Sequence, residues 1–250
     1  MMSLTKSQLK LMLKEKETKL FLAFGLYPLL LIIVRLFNTN FMQLSAPEGT
    51  LDFMTFFQAA VYVQYHTLLP SVALIYLVIV NIGDEVRNNR LYLYKDINRT
   101  RLLSAKQLSL VIIYIKYVAV TFISSLITYY FSLINEDYAS GAFFPADLFT
   151  EDTLNTLAVF MMSLLIIWLS SYLSIKYNNG VTLTIVILFQ LFSQIASRVN
   201  FTRYLLPPGI MGSYNESNGL EVLGIMLVIF LVWMLVLSYL SYKAYSQAEM

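Results

Sequence analysis

The chain has 250 residues, 58% of them hydrophobic and only 13% charged, with a formal net charge of +2 and no cysteine. A mean hydropathy of +0.66 and a charged fraction about half that of ordinary soluble domains exclude a soluble globular protein, and the absence of cysteine excludes disulfides and thiolate chemistry. The apolar residues come in long runs, so the chain reads as an integral membrane protein.

Residues 1–19 come first. In "SLTKSQLKLMLKEKETKL" the spacing of Leu9, Met12, Leu13 and Leu20 puts them on one side of a helix, with lysines such as Lys16 around much of the rest. Thr5 followed by Gln8 fits a capping box. A basic amphipathic helix of this kind reads as lying on the membrane surface; a merely positive anchor that sets topology is the other reading. The apolar run that follows is a retained anchor, because more runs come after it and no small-residue cleavage site does.

A helix needs about 20 mostly apolar residues to cross a bilayer core of about 30 Å. Six segments meet or approach this: residues 20–37, 57–82, 108–134, 154–175, 181–197 and 220–242. The predicted fold is an all-α integral membrane protein with six transmembrane helices and both termini cytoplasmic. Its six-span domain covers 20–242, with an inner link at 83–107, an outer link at 198–219 and a tail at 243–250. The third run would be about 40 Å long, which requires tilt, a kink or a first part outside the hydrocarbon. Lys116 favours the last, since an ammonium at the start of the core can reach the interface.

Three connections carry turn signals. "FMQLSAPEGTLDFMTFFQAAV", residues 41–61, reads as an amphipathic approach to span two. "KYNNG" is a tight turn in which Asn179 and Gly180 can accept positive backbone dihedrals, making spans four and five an antiparallel hairpin. In the outer link Leu205, Leu206, Ile210 and Met211 interrupt the polar character, while Pro207 and Pro208 prevent one straight helix. Short interfacial or re-entrant elements are expected there; an ordinary loop is the other reading for both outer connections.

Orientation follows from the basic residues. Apart from Arg35, Lys116, Arg198 and Arg203, every Lys and Arg falls in the N-terminal segment, in the 83–107 link, at Lys176 or at Lys243. Cytoplasmic loops are enriched in Lys and Arg, which assigns these regions to the inside. The acidic segment 135–153 falls outside.

Little in the chain suggests catalysis. Phosphate-binding P-loops need a Gly-Lys pair, and this dipeptide never occurs. The single histidine, His66, has no Cys and no acidic cluster beside it, so it reads as a packing or hydrogen-bonding residue rather than a metal ligand. A membrane enzyme would need His66 joined by groups from other spans. Asp84 and Glu85 are adjacent and do not share a helix face; they read as partners for Arg87, Arg90 or another base, or as the end of the span. Tyr62, Tyr65, Tyr129, Tyr130 and Gln190 are candidates for a translocation surface, and the same residues serve helix packing. The basic link is too short and too close to the membrane for a nucleic-acid module. Its interleaved Leu91, Tyr92, Leu93, Tyr94 and Ile97 favour a protein-docking surface over simple contact with anionic headgroups.

The link also has an order of its own. Glu85 ends span two, Arg87 and Arg90 form a basic segment, Arg99 or Arg101 follows a turn, and Lys106 opens span three; Pro207 and Pro208 close the outer link. This order, with the N-terminal helix and six spans, resembles the membrane subunits of ABC-2 type transporters. Asn88 or Asn89 stands where that pattern has a glycine and Asn98 where it has a turn proline, and Asn supports turns. The resemblance implies a bacterial multi-pass membrane protein without catalytic residues, resident metal or cofactor. ATP and magnesium would be bound by a separate cytoplasmic ABC ATPase dimer. That dimer would dock on Leu9, Met12, Leu13 and Lys16 and, through the link, on Glu85, Arg87, Arg90, Tyr92, Tyr94, Arg99, Arg101 and Lys106. It further implies a second permease copy or a homologous permease, surrounding lipids, and an amphipathic peptide, bacteriocin or toxin as cargo, for export or immunity. Lipid or drug efflux, or a scaffold that moves nothing, are the alternatives.

Overall fold

The computed structural model describes residues 2–37, 46–88, 97–145, 150–215 and 217–247. Arg90, Tyr92 and Tyr94, assigned above to the docking surface, lie outside the described residues. Among those described, six helices are long and apolar enough to cross a membrane: Lys16–Leu36, Leu69–Arg87, Arg99–Leu133, Glu151–Lys176, Asn179–Arg198 and Gly219–Gln247. The protein is therefore an all-α, multi-pass membrane protein.

The N-terminal helix α1 (Met2–Met12) buries Thr5, Gln8 and Met12, with Leu9 and Leu13 packed beside them against the core. Thr5 thus lies inside the helix rather than at a cap. Its carbonyl oxygen accepts a hydrogen bond from the Ser109 hydroxyl at 3.1 Å, so the buried side of α1 rests on the bundle. Lys16 and Leu20 are exposed on α2 (Lys16–Ala23). The first span begins at Lys16, earlier than the apolar run. It tightens into a 3-10 segment at Phe24–Leu29 around Pro28, then ends as α3 (Leu30–Leu36).

The second apolar run does not form one helix. Asp52 caps α4 (Phe53–His66) by accepting from the Thr55 amide at 2.8 Å. The chain then breaks at Thr67–Leu68 and restarts as α5 (Leu69–Val78) with Pro70 in its first turn. Leu68 has a φ of 63°, a left-handed conformation that costs a non-glycine residue about 1–2 kcal/mol. Pro70 lacks an N–H and disfavours helical geometry just before it, which is why the helix cannot run through. After α5 a π-type turn at Ile79–Gly83 leads into α6 (Asp84–Arg87).

Asn98 accepts from the Thr100 amide and starts α7 (Arg99–Thr128), which continues through a π turn to Leu133. At 35 residues this helix is about 50 Å long, which places part of it beyond a hydrocarbon core of about 30 Å. Lys116 is on its exposed face.

Thr150 caps α8 (Glu151–Lys176), the most buried of the six spans. Asn178 then caps α9 (Asn179–Ile195) by accepting from the Val181 amide at 2.9 Å. The hairpin forms as expected, but not with positive dihedrals at Asn179 and Gly180: both are helical, and the described residues with positive φ are Gly49, Leu68 and Gly141. In the 198–219 link Pro207–Ser213 forms a 3-10 helix whose Ile210 is fully buried. It packs with Leu154 and Ala158 of α8 and with Val222 of α10 (Gly219–Gln247). Leu227, Leu231 and Leu235 of α10 remain exposed, an apolar face that suits contact with hydrocarbon.

Small residues allow the closest approaches. A Cβ on Gly25 would lie 2.9 Å from the Val120 methyl and 3.1 Å from the Tyr117 carbonyl. On Gly83 it would lie 2.8 Å from the Ser174 Cβ. Backbone contact at small residues is how membrane helices gain packing energy without a hydrophobic drive between them.

Candidate functional site

Contacts between distant elements gather at two ends and one central layer. At the basic end, Lys106 has no exposed surface. Its Nζ donates to the Asn81 carbonyl at 2.7 Å and to the Glu85 carboxylate. Asn81 in turn donates to Glu15 Oε2 at 2.8 Å and to the Leu77 carbonyl at 3.0 Å. The π turn at 79–83 re-aims the Asn81 carbonyl, and such turns concentrate at functional places. One ammonium therefore holds the end of the second span, the start of the third and, through Asn81, the junction between α1 and α2. Burial pushes the Glu15 carboxyl above its ordinary value; the Asn81 hydrogen bond opposes this and the Glu17 charge adds to it.

Arg87 completes this end in the other direction. Its guanidinium donates to the carbonyls of Ser174 at 2.9 Å and Tyr177 at 2.8 Å, to Asp84 Oδ1 at 2.9 Å and to Asn179. Adjacent Asp84 and Glu85 thus serve different neighbours, Asp84 the α8–α9 turn and Glu85 the Lys106 site. Arg99 donates to the Ser246 carbonyl at 3.0 Å, bringing the end of α10 to the same place. Arg101 is exposed.

At the opposite end Arg35 donates to the Ser132 carbonyl at 2.6 Å, to Glu136 at 2.8 Å and to Tyr138. Tyr129, a candidate for the translocation surface, is fully buried here. Its hydroxyl donates to the Leu51 carbonyl at 2.8 Å and accepts from the Gly141 amide at 3.1 Å, so it fastens the segments before α4 and after α7. Tyr130 lies beside it in an edge-to-face contact, with ring centroids 5.1 Å apart.

The central layer forms where the second run breaks. At the break the Tyr65 carbonyl keeps only a long backbone bond from the Leu68 amide at 3.4 Å, and it accepts in addition from Gln190 Nε2 at 3.0 Å and from Gln194 Nε2 at 3.3 Å. Gln190 also donates to Ser71 Oγ at 2.8 Å, the Tyr65 hydroxyl pairs with Ser193, and the Tyr117 hydroxyl donates to Gln64 Oε1. Gln64, Tyr65, Ser71 and Tyr117 from this layer line a cavity of about 20 Å³ together with Tyr114 and Ser163, room for about one water. Tyr65 and Gln190 are thus brought together, whereas Tyr62 is exposed and lies against His66 in a tilted ring contact with centroids 4.0 Å apart. His66 Nδ1 is 2.9 Å from the Tyr62 carbonyl. No group of three or more His, Cys, Asp or Glu residues that could hold a metal occurs among the described residues.

Sequence reasoning missed Gln64, Ser71, Asn81 and Glu15. Gln64 and Ser71 flank Pro70, the one signal that could have marked the break. Comparison with protein-family models, curated proteins and solved structures returns no match.

Proposed function

We propose that this chain is the membrane-spanning, non-hydrolysing subunit of an ATP-driven exporter of the ABC-2 permease kind. Its cargo in this reading is an amphipathic peptide, bacteriocin or toxin, and ATP and magnesium act in a separate cytoplasmic ATPase dimer docked at the basic end. The observation that carries the reading is the convergence on Lys106. The segment joining the second and third spans leaves beside Glu85 and returns beside Lys106, which bond each other. Arg87 ties the same segment to the α8–α9 turn. A push on residues 88–98 would reach four spans at once, the two-state coupling that a motor subunit needs. The basic charge and the resemblance of the link to the family pattern support the same direction.

The test uses sealed inside-out vesicles from cells making this chain together with an ATPase encoded beside it. ATP-dependent accumulation of a labelled amphipathic peptide, lost in Glu85→Gln while the ATPase stays bound, is the expected result. Accumulation that needs no ATPase would overturn the reading, and protection of cells from a toxin without any accumulation would favour a scaffold.

A further inference from the structure

A second, larger hollow lies on the other side of Gln64 from the central cavity. It is a crevice of about 350 Å³ between the first span and the broken second run, and Gln64 and Pro70 line both spaces. Phe24, Leu26 and Leu30 form one wall and Leu69 the other, while Gln64 and Thr67 supply polar groups at the break. Leu26, Leu30 and Leu69 are 45–61% exposed, so the crevice opens sideways, toward where lipid would lie. Its volume is at the small end of the range for ligand sites.

The decisive group is the Gln64 amide. Gln64 is 3% exposed, its Oε1 accepts from Tyr117, and its Nε2 has no partner. An unpaired buried N–H₂ is unfavourable, and a ligand oxygen accepting from it would remove that penalty. The left-handed Leu68 is a second expense at the same place, and strained backbone collects at ligand clamps. No charged side chain lines the crevice, so an ionic head would find no counter-charge.

We propose that this crevice binds one neutral single-chain amphiphile, its hydrocarbon chain along Phe24, Leu26 and Leu30 and a carbonyl or ether oxygen of its head accepting from Gln64 Nε2. The volume takes about one chain, and the absence of a charged lining residue disfavours a phosphate head. The site is independent of the export reading: a scaffold would hold the same molecule, and binding is measured here without an ATPase or transport.

The test places the full chain in phospholipid nanodiscs with a monoacylglycerol carrying a diazirine on its acyl chain, followed by illumination and peptide mapping. Saturable labelling confined to residues 23–30 and 63–70, displaced by unlabelled monoacylglycerol but not by phosphatidylglycerol, is expected. Gln64→Leu should weaken binding about fivefold, the worth of one neutral hydrogen bond. Leu26→Trp, a substitution at an exposed position that leaves the core intact, should abolish it by filling the crevice. Three results would overturn the proposal: labelling spread evenly over the exposed faces of α9 and α10, displacement by phosphatidylglycerol as readily as by monoacylglycerol, or saturable labelling unchanged in Leu26→Trp.

Discussion

The Lys106 ammonium and the Glu85 carboxylate form an ion pair across 21 residues of sequence, with the lysine side chain 1% and the glutamate side chain 18% exposed. The asymmetry of burial sets the order of mutant effects. Removing one member of a buried pair leaves the other uncompensated at a cost of about 3–5 kcal/mol, and the penalty is larger when the survivor is the more buried charge. Glu85→Ala should therefore destabilise the detergent-purified protein more than Lys106→Met does. The double variant should recover part of the loss. Tryptophan fluorescence during thermal unfolding measures this; equal effects of the two single variants would contradict it.

Gly25 makes a sharper packing test. Its Cβ position is blocked by the Val120 methyl at 2.9 Å and the Tyr117 carbonyl at 3.1 Å, and its own carbonyl accepts from Ser124 Oγ at 2.6 Å. Gly25→Ala should cost about 1–3 kcal/mol, the usual price of overpacking. Val120→Ala in the same chain removes the nearer obstacle and should restore some of it. A melting temperature unaffected by Gly25→Ala would show that the first span can shift away from α7 freely.

These two sites also mark how far the sequence could be read. Apolar runs announced the six spans because length and hydropathy alone set that signal. Lysine at α1 and in the link announced the basic end. Glu85 and Lys106 were singled out from the order of the link, but their mutual bond depends on how two helices pack, which periodicity does not encode. The break at Leu68 escaped because hydropathy is continuous across it; Pro70 was its trace, in the first turn of the new helix. Thr5 and Gln8 matched a cap by spacing, yet the structure starts the helix earlier and uses both residues to face the bundle. Tyr129 read as a candidate for the translocation surface or for helix packing, and its hydroxyl bonds the Leu51 carbonyl and the Gly141 amide. A tyrosine's partners are not visible in sequence.

Leu68 yields an inversion of the usual conservative order. At a φ of 63° glycine meets no steric penalty, whereas a β-branched residue is a genuine outlier. Leu68→Gly should therefore stay within about 1 kcal/mol of the parent, strain relief offsetting the added backbone entropy. Leu68→Val, nearer in hydrophobicity, should be clearly worse. Comparing melting temperatures decides it; a valine variant as stable as the glycine variant would mean the left-handed turn is not maintained.

Glu15 should give stability a pH dependence opposite in sign to that of most carboxylates. Its pKa in the folded protein is raised above the ordinary 4.5, first by burial, then with the Asn81 hydrogen bond lowering it, the Glu17 charge raising it, and smaller opposing effects from Lys106 and Glu85. The folded state therefore holds the Glu15 proton more tightly than the unfolded state does. Its contribution is most favourable below the unfolded value and is lost as pH rises through the folded value, because stability falls with pH wherever the folded state binds more protons. Glu15→Gln retains an oxygen for the Asn81 amide at the position now 2.8 Å away and has nothing to titrate. The variant should match the parent below pH 4.5, gain on it as pH rises through the raised folded value and hold a constant lead above it, in melting curves recorded side by side. Subtracting the two curves cancels the other carboxylates. A difference that shrinks with rising pH would show that Asn81 and Lys106 stabilise the carboxylate more than burial penalises it.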